Sequence, residues 1–337
     1  MDEDTLSKRI KELEEELDSL RAQQASKCTK RNESSRLPLE LEEYIRYGRQ
    51  MILPQVGLPG QLALKKSSVL VIGAGGLGCP VLLYLAGAGI GTSPTDNRSN
   101  KLGTIGIADH DTVDLSNLHR QILHRTSSIG RLKTRSAETA LKQLNPSIKV
   151  ICHNDGITPQ NAVSLMTPYD IIVDCTDAPS TRYLISDTCV VLSKPLVSGS
   201  ALGTEGQLVV YGYNNGPCYR CMFPTPPPAE AVLTCGEGGI LGPVVGVIGV
   251  MQALETIKVI LHANGVWKEE YVPHMTIFGA FDLPQWRSFK MRPRKKDCIA
   301  CGLNPSISED TIAKTDYSVI CKRVIPDEIP ERITVKV

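Results

Sequence analysis

Val69-Leu70-Val71-Ile72-Gly73-Ala74-Gly75-Gly76-Leu77-Gly78 is the stretch on which the fold turns. Four apolar residues run into G-x-G-x-x-G, and Cys79-Pro80 then leads into a helical stretch over 81–88. A continuous apolar run of this kind is how a strand buried on both faces of a parallel sheet reads. The glycines permit a tight turn and a close backbone approach, so that a phosphate rests on the N–H groups opening the helix. The strand–turn–helix order suits a nucleotide loop. The same residues also fit a tight turn with no ligand, and they do not say which nucleotide.

Downstream, Thr104-Ile-Gly-Ile-Ala108 reads as a second strand ending in Asp109-His-Asp111. In a doubly wound sheet an acid at this point reaches ribose hydroxyls. Asp109 lies 31 residues beyond Gly78, and the usual spacing is about 20. The polar stretch Thr92–Lys101, a surface loop by its composition, accounts for the excess. A helix over 132–144 follows, then a strand at Lys149–His153 and another at Tyr169–Asp174, which leads into Cys175-Thr176-Asp177. Ligands in open α/β sheets bind beyond the carboxyl ends of the strands. Asp109 and Asp177 thus point to one crevice, where a magnesium–nucleotide needs a carboxylate. Either Asp also suits a helix N-cap or a turn. A helix is expected over 181–192, a strand at Pro195–Gly199, and two short strands within Gly203–Tyr213 around Glu205-Gly206. The expected class is α/β: a Rossmann-like, mostly parallel sheet with helices on both faces and an antiparallel extension in the second half.

Of 337 residues, 11 are cysteines, and the net charge is +1. That charge gives no global field for nucleic acid or membrane, so neither is expected as a partner. An acidic Met1-Asp-Glu-Asp start lacks the basic and apolar regions of a secretory signal. An odd cysteine count with two C-x-x-C pairs fits a reduced, cytosolic chain with a metal site better than a disulfide framework. Cys218-Tyr-Arg-Cys221 and Cys298-Ile-Ala-Cys301 suit one structural zinc per chain, bound by four thiolates that clip two distant segments. Neither pair opens a helix after a βαβ strand, as a thioredoxin-like motif requires.

Cys235 sits in a glycine-rich segment between Pro224–Pro228 and a long apolar helix, Leu241–Leu261. There a thiolate nucleophile is favoured by the helix dipole, whereas a lone cysteine also serves as a small buried hydrophobe. The long helix has the length of a membrane span, but Gln252, Glu255 and Lys258 within it argue for a buried core or dimer helix. Near the start, Leu6, Ile10, Leu13, Leu17 and Leu20 form a short heptad seam within a helix over 1–25, and 26–38 reads as a linker. In Leu41–Leu53, Arg46 and Arg49 share a helical face, which is either solvated or an anion clamp. Residues 39–305 form the main domain. Ser306–Val337 is charged and Pro-interrupted, with no evident core.

Taken together, these residues resemble the ThiF/MoeB/ubiquitin-activating superfamily, and most closely its eukaryotic adenylyltransferase–sulfurtransferase branch serving molybdopterin synthase and tRNA thiolation. The resemblance rests on R-Y-x-R-Q at Arg46–Gln50, the loop at Gly73–Gly78, S-N-L-x-R-Q at Ser116–Gln121, D-C-T-D at Asp174–Asp177, the two cysteine pairs, and P-P-P-A-E before Cys235. It implies adenylation, with ATP and magnesium, of the C-terminal glycine of a ubiquitin-like sulfur carrier ending in Gly-Gly. The implied nucleotide set is Gly73, Gly75, Gly76, Gly78, Asp109, Ser116, Asn117, Leu118, His119, Arg120, Lys133, Asp177 and Ala178. Of these, Arg120, Lys133 and Asp177 would act on the triphosphate and magnesium. Arg49 would reach the partner subunit of a homodimer, Cys235 would take the activated carboxyl as a thioester, and the four paired cysteines would bind zinc.

Three departures stand out. Ala178 replaces the family's usual Asn, Thr92–Lys101 is an extra loop, and the chain stops at Val337, where the branch continues into a rhodanese domain. Cys321 lacks the glycine-containing loop that a persulfide needs, so an external sulfur donor is expected. The competing readings are an NAD-dependent oxidoreductase on the same loop and a catalytically impaired partner subunit.

Overall fold

A computed structural model describes residues 18–19, 37–92, 103–226 and 238–317. The heptad seam, most of the Thr92–Lys101 loop, Cys235 and Cys321 lie outside the described residues. The chain divides into two units, the first ending at Arg49 and the second beginning at Gln50. Helix α1, Leu41–Met51, crosses that boundary. Within the first unit, Arg46 pairs with Glu42 at 3.6 Å and Arg49 is exposed.

The second unit is built on one sheet of eight strands. They are β1 (Ser68–Ile72), β2 (Thr104–Ala108), β3 (Val150–His153), β4 (Ile171–Asp174), β5 (Leu196–Leu202), β6 (Glu205–Tyr211), β7 (His274–Gly279) and β8 (Trp286–Lys290). Their order is β3-β2-β1-β4-β5-β6-β7-β8. Pairings from β3 to β5 are parallel, and those from β5 to β8 are antiparallel. The expected parallel half and antiparallel extension are both present. One detail differs. The strand beginning near Pro195 continues to Leu202, and Gly203-Thr204 makes the turn, so 205–211 is a single strand. Glu205-Gly206 therefore opens a strand instead of separating two, because Gly203 takes the left-handed turn conformation (φ +59°).

Period-2 alternation explains why both faces are apolar. Val69, Val71, Ile105, Ile107, Ile171 and Val173 pack into one core, while Leu70, Ile72 and Ile172 pack into the other. Helices α3 (Gly78–Gly87), α4 (Lys133–Leu144) and α8 (Gly242–Ala263) contribute to the first core; α2 is Gly57–Lys66. Helices α5 (Ala162–Met166) and α6 (Pro179–Val191) cover the second face. Burial of each branched side chain of β1 contributes about 1.5–3 kcal/mol.

The long apolar helix α8 is a core helix that packs on α3 and on β5. Its polar residues have partners inside. Gln252 Nε2 donates to the Asp174 carbonyl at 2.7 Å, and Glu255 accepts from the Tyr271 hydroxyl at 2.8 Å and pairs with Lys258 at 2.6 Å.

After Ser306, where the sequence shows no evident core, the chain forms α9 (Glu309–Lys314) with a capping box at Ser308. Ile312 and Tyr317 are buried in the second core. Tyr317 donates to Asp187 Oδ2 at 2.9 Å, and Arg220 forks onto both oxygens of that carboxylate at 2.7 and 2.8 Å. Arg220 lies in short helix α7 (Tyr219–Met222), between the first two paired cysteines. One buried carboxylate thus ties α6, the cysteine clip and the end of the described chain together.

Candidate active site and cysteine centre

Three strand ends lie side by side, because Ile72 pairs with Ala108 on one side and with Asp174 on the other. The residues that follow, Gly73, Asp109 and Cys175, therefore start at one level. Strand order reverses between β1 and β4, which makes this the topological switch point where such sheets bind ligands. A cavity of about 760 Å³ opens here.

The glycine loop is shaped by backbone needs. Gly73 has φ +96°, and a Cβ on Gly78 would lie 1.9 Å from the Gly73 carbonyl oxygen. The intervening Ala74 is held on both sides, through two successive peptide groups. Its N–H donates to Asp109 Oδ2 at 2.7 Å, and its carbonyl accepts from His124 Nε2 at 2.9 Å. A carbonyl only accepts, so His124 carries its proton on Nε2, and Nδ1 accepts from the Ser136 hydroxyl at 2.9 Å. Burial pushes the His124 imidazole below its ordinary value. Asp109 Oδ1 accepts from the Asp111 N–H at 2.8 Å, so each carboxylate oxygen holds one backbone donor and keeps acceptor capacity.

Asn117, Arg120, Lys133, Asp177 and Ala178 line the cavity with Gly73, Gly75, Gly76 and Asp109. Asn117 ends a 3₁₀ turn, Leu115–Asn117, capped by Asp114 through the Ser116 N–H at 2.8 Å. That turn aims Asn117 Oδ1 at Arg120 Nη2, which donates to it at 2.8 Å. Lys133 opens α4, and its Nζ pairs with Asp111 Oδ2 at 2.7 Å. Burial works to raise the Asp111 carboxyl, but the Lys133 hydrogen bond and charge outweigh it and hold it below the usual range. Asp177 is exposed at the mouth, and Ala178 is the N-cap of α6 without a side-chain cap.

Gly78, Ser116, Leu118 and His119 do not line the cavity. Ser116 and His119 are exposed, and His119 Nδ1 donates to the Ser116 carbonyl at 2.9 Å, which closes the turn. Cys235 lies outside the described residues, and Arg49 belongs to the first unit.

Two cavity groups carry no clear signal in the sequence. Arg182 lines the wall, donating to the Thr176 carbonyl at 2.8 Å, with Nε 4.0 Å from Asp174 Oδ2. It stands five residues beyond Asp177 in the helix that follows, and that placement alone could have pointed to it. Asp111 stands out only within the Asp109-His-Asp111 triplet, and its pairing with a lysine 22 residues away leaves no local pattern. The cavity as a whole sets Arg120, Lys133 and Arg182 beside the glycine loop. This arrangement can hold a polyphosphate and offset charge developing on it.

The second centre joins the cysteine pairs. Sγ–Sγ separations are 3.8 Å for Cys218–Cys221, 3.6 Å for Cys218–Cys298 and 3.3 Å for Cys221–Cys301. All four sulfurs lie within 4.8 Å of one another. A tetrahedral site with metal–sulfur bonds of about 2.3 Å has edges of about 3.8 Å. The Lys295 N–H donates to Cys221 Sγ at 3.4 Å, a support that thiolate ligands commonly receive. Without a cation, burial pushes the Cys301 thiol up to about 12.

Among solved structures, the fold is similar to E. coli MccB with ATP (TM-score 0.63, 22% identity, 76% of this chain and 74% of that one). It is also similar to PaaA (TM-score 0.60, 21% identity, covering 76% of each). Among curated proteins, the chain is 48% identical to the adenylyltransferase and sulfurtransferase uba4 of Aspergillus terreus, over 96% of this chain and 66% of that protein. It is 47% identical to the adenylyltransferase and sulfurtransferase MOCS3 of Anopheles gambiae, over 94% of this chain and 66% of that protein. The chain spans about two thirds of the length of these relatives. Residues 47–300 match the model of the ThiF family, and with these relatives the match shows that the chain belongs to that family.

Proposed function

We propose that the chain adenylates the C-terminal glycine of a ubiquitin-like sulfur carrier, at the cavity beyond β1, β2 and β4. The observation that carries this reading is the grouping of Asn117, Arg120 and Lys133 around the glycine loop, with Asp109 and Asp177 lining the same cavity. The names of the relatives, adenylyltransferase and sulfurtransferase, support it. The carrier then serves molybdenum cofactor synthesis and tRNA thiolation, as the resemblance implies.

In the proposed step, a carboxylate oxygen of the carrier's last glycine attacks the α-phosphorus. The bond between the α-phosphorus and its bridging oxygen breaks, and pyrophosphate leaves with the electron pair. Asp109 orients the ribose, and its place is set by the loop N–H it holds. Lys133 exchanges its Asp111 partner for phosphate oxygens, and Arg120, braced by Asn117, faces the charge that develops in line. Asp177 would hold magnesium, which when bound offsets charge on the phosphates. Arg49 completes the partner subunit's site in a homodimer, and Cys235 accepts the activated carboxyl as a thioester. Cys218, Cys221, Cys298 and Cys301 hold one structural zinc, their sulfur spacing being that of a tetrahedral site. The reaction takes place in the cytosol.

ATP–pyrophosphate exchange tests the reading. Wild-type protein with a carrier ending in Gly-Gly should exchange label, and a carrier lacking its last glycine should not. Absence of exchange with every intact carrier refutes adenylation. In the same assay Cys235→Ala should leave exchange intact and abolish the thioester.

A further inference from the structure

Gln121 closes the S-N-L-x-R-Q stretch and has no part in the step above. Its backbone is fixed on both sides. The N–H donates to the Asn117 carbonyl at 2.9 Å, and the carbonyl accepts from the His124 N–H at 3.1 Å. Its side chain lines the cavity, and the residue is 4% exposed. Nε2 lies 3.7 Å from where a Cβ on Gly75 would stand. Oε1 is buried and accepts no hydrogen bond, and the amide as a whole makes none among the described residues.

An amide hidden from water without a partner destabilises a fold, and methionine would fill the same space without that penalty. Two other buried glutamines are satisfied from within: Gln252 donates to the Asp174 carbonyl at 2.7 Å, and Gln61 to the Ala88 carbonyl at 3.1 Å. Gln121 differs in facing the cavity. Its place beside the loop identifies what it meets there. In the adenylation reading Asp109 orients the ribose, and Asp109 Oδ2 also holds the Ala74 N–H at 2.7 Å, which seats the ribose against Ala74. Gly75 is one residue further, about 3.8 Å along the chain. The first group beyond the ribose is the α-phosphate. An ionised phosphate only accepts, so the NH2 end of the amide is the end that serves it, and Nε2 is the atom nearest Gly75. With no bond on Oε1, nothing in the protein competes for the rotation that aims Nε2.

We infer that Gln121 Nε2 donates a hydrogen bond to an α-phosphate oxygen of the bound nucleotide, which makes Gln121 a further substrate-binding residue of this site. The inference rests on the adenylation reading above. The α-phosphate stays with the carrier when pyrophosphate leaves, so the contact is made before the attack and kept after it. Such a contact acts on ground and transition states alike, and its loss raises KM for ATP while kcat changes little.

The test is Gln121→Met and Gln121→Glu in the full chain, titrated calorimetrically with ATP, AMP and adenosine in the presence of magnesium. Gln121→Met should weaken ATP and AMP by about tenfold each, as loss of one hydrogen bond to a charged group does, and leave adenosine within about twofold. Gln121→Glu should weaken ATP and AMP further, because it sets a carboxylate against the phosphate. The thermal midpoint of Gln121→Met should equal or exceed that of the wild type, since the unpartnered amide is gone. If Gln121→Met does not fold, Gln121→Asn, which draws the amide back by one methylene, should show the same loss. Unchanged ATP affinity overturns the inference. So does a loss shared equally by adenosine, which makes Gln121 a support of the loop, and so does a loss with ATP that spares AMP, which moves the contact to the outer phosphates. Wild-type protein that binds ATP but exchanges with no Gly-Gly carrier refutes adenylation, and the titrations then decide the phosphate contact alone.

Discussion

Arg220→Met removes the guanidinium that forks onto Asp187 and leaves a carboxylate that is 0% exposed with only the Tyr317 hydroxyl beside it. Burial already pushes the Asp187 carboxyl above its usual range, with Arg220 and then Tyr317 pulling it back. Two routes are open to the variant. Keeping the charge costs about 3–5 kcal/mol, the usual penalty for breaking one side of a buried pair. Protonating Asp187 at pH 7, about three units above an unfolded carboxyl, costs about 4 kcal/mol at 1.36 kcal/mol per unit. The routes converge, so a loss of about 4 kcal/mol is expected at pH 7. The second route becomes easier in acid. At pH 5 the same variant should lose only about 1.5 kcal/mol, because protonation then spans about one unit. Urea unfolding with zinc in excess reads both values. The double variant Arg220→Met, Asp187→Leu should be more stable at pH 7 than the single one, because it leaves no buried charge. A single-variant loss below about 1 kcal/mol at pH 7, or a loss that does not shrink in acid, would refute the reasoning.

Three further outcomes follow from the site. Lys133→Ala should lower exchange by at least about a hundredfold, as removal of one preorganised charge contact does, with the melting temperature little changed; near-normal exchange would exclude Lys133 from phosphate contact. Elemental analysis should find one zinc per chain, and Cys298→Ser should lower both zinc retention and the thermal midpoint; a zinc-free chain with the wild-type midpoint would remove the metal from this centre. His124 titrates below its ordinary 6.5 when folded, so the unfolded chain binds more protons in that window. Its contribution to stability is thus complete above about 6.5 and lost as pH falls toward the folded value. His124→Gln should flatten the stability profile below pH 6.5, and an unchanged profile would count against a buried neutral imidazole.

Much of the fold is legible in the sequence because its signals are local. The apolar run 69–72 followed by glycines marks β1 and its loop, and the acids after β2 and β4 mark the crevice rim. Two C-x-x-C pairs announce a shared centre despite the 76 residues between them, since few other uses suit four such cysteines. The polar residues of α8 separate a core helix from a membrane span. What stays hidden is non-local. The Asp111–Lys133 pair, the Arg182 contacts and the Asp187–Arg220–Tyr317 network join residues whose separation carries no period. The hairpin at Gly203 is misplaced by sequence reasoning because Glu205-Gly206 resembles a turn, while the left-handed residue lies two positions earlier. Helix α9 escapes it because a six-residue helix is too short for hydrophobic periodicity to register, and only its Ser308 cap marks it.

The double grip on Ala74 bears on how a nucleotide would be greeted. With Asp109 on the N–H of the Gly73–Ala74 peptide and His124 on the carbonyl of the Ala74–Gly75 peptide, two successive amide planes are each held in place, and the glycines on either side of Ala74 inherit that rigidity. Loops that must settle around an incoming phosphate lose motion as they do so. Here the settling is complete before any ligand arrives. Calorimetry across a His124 variant series would show that difference as an entropic penalty growing once the clasp is cut.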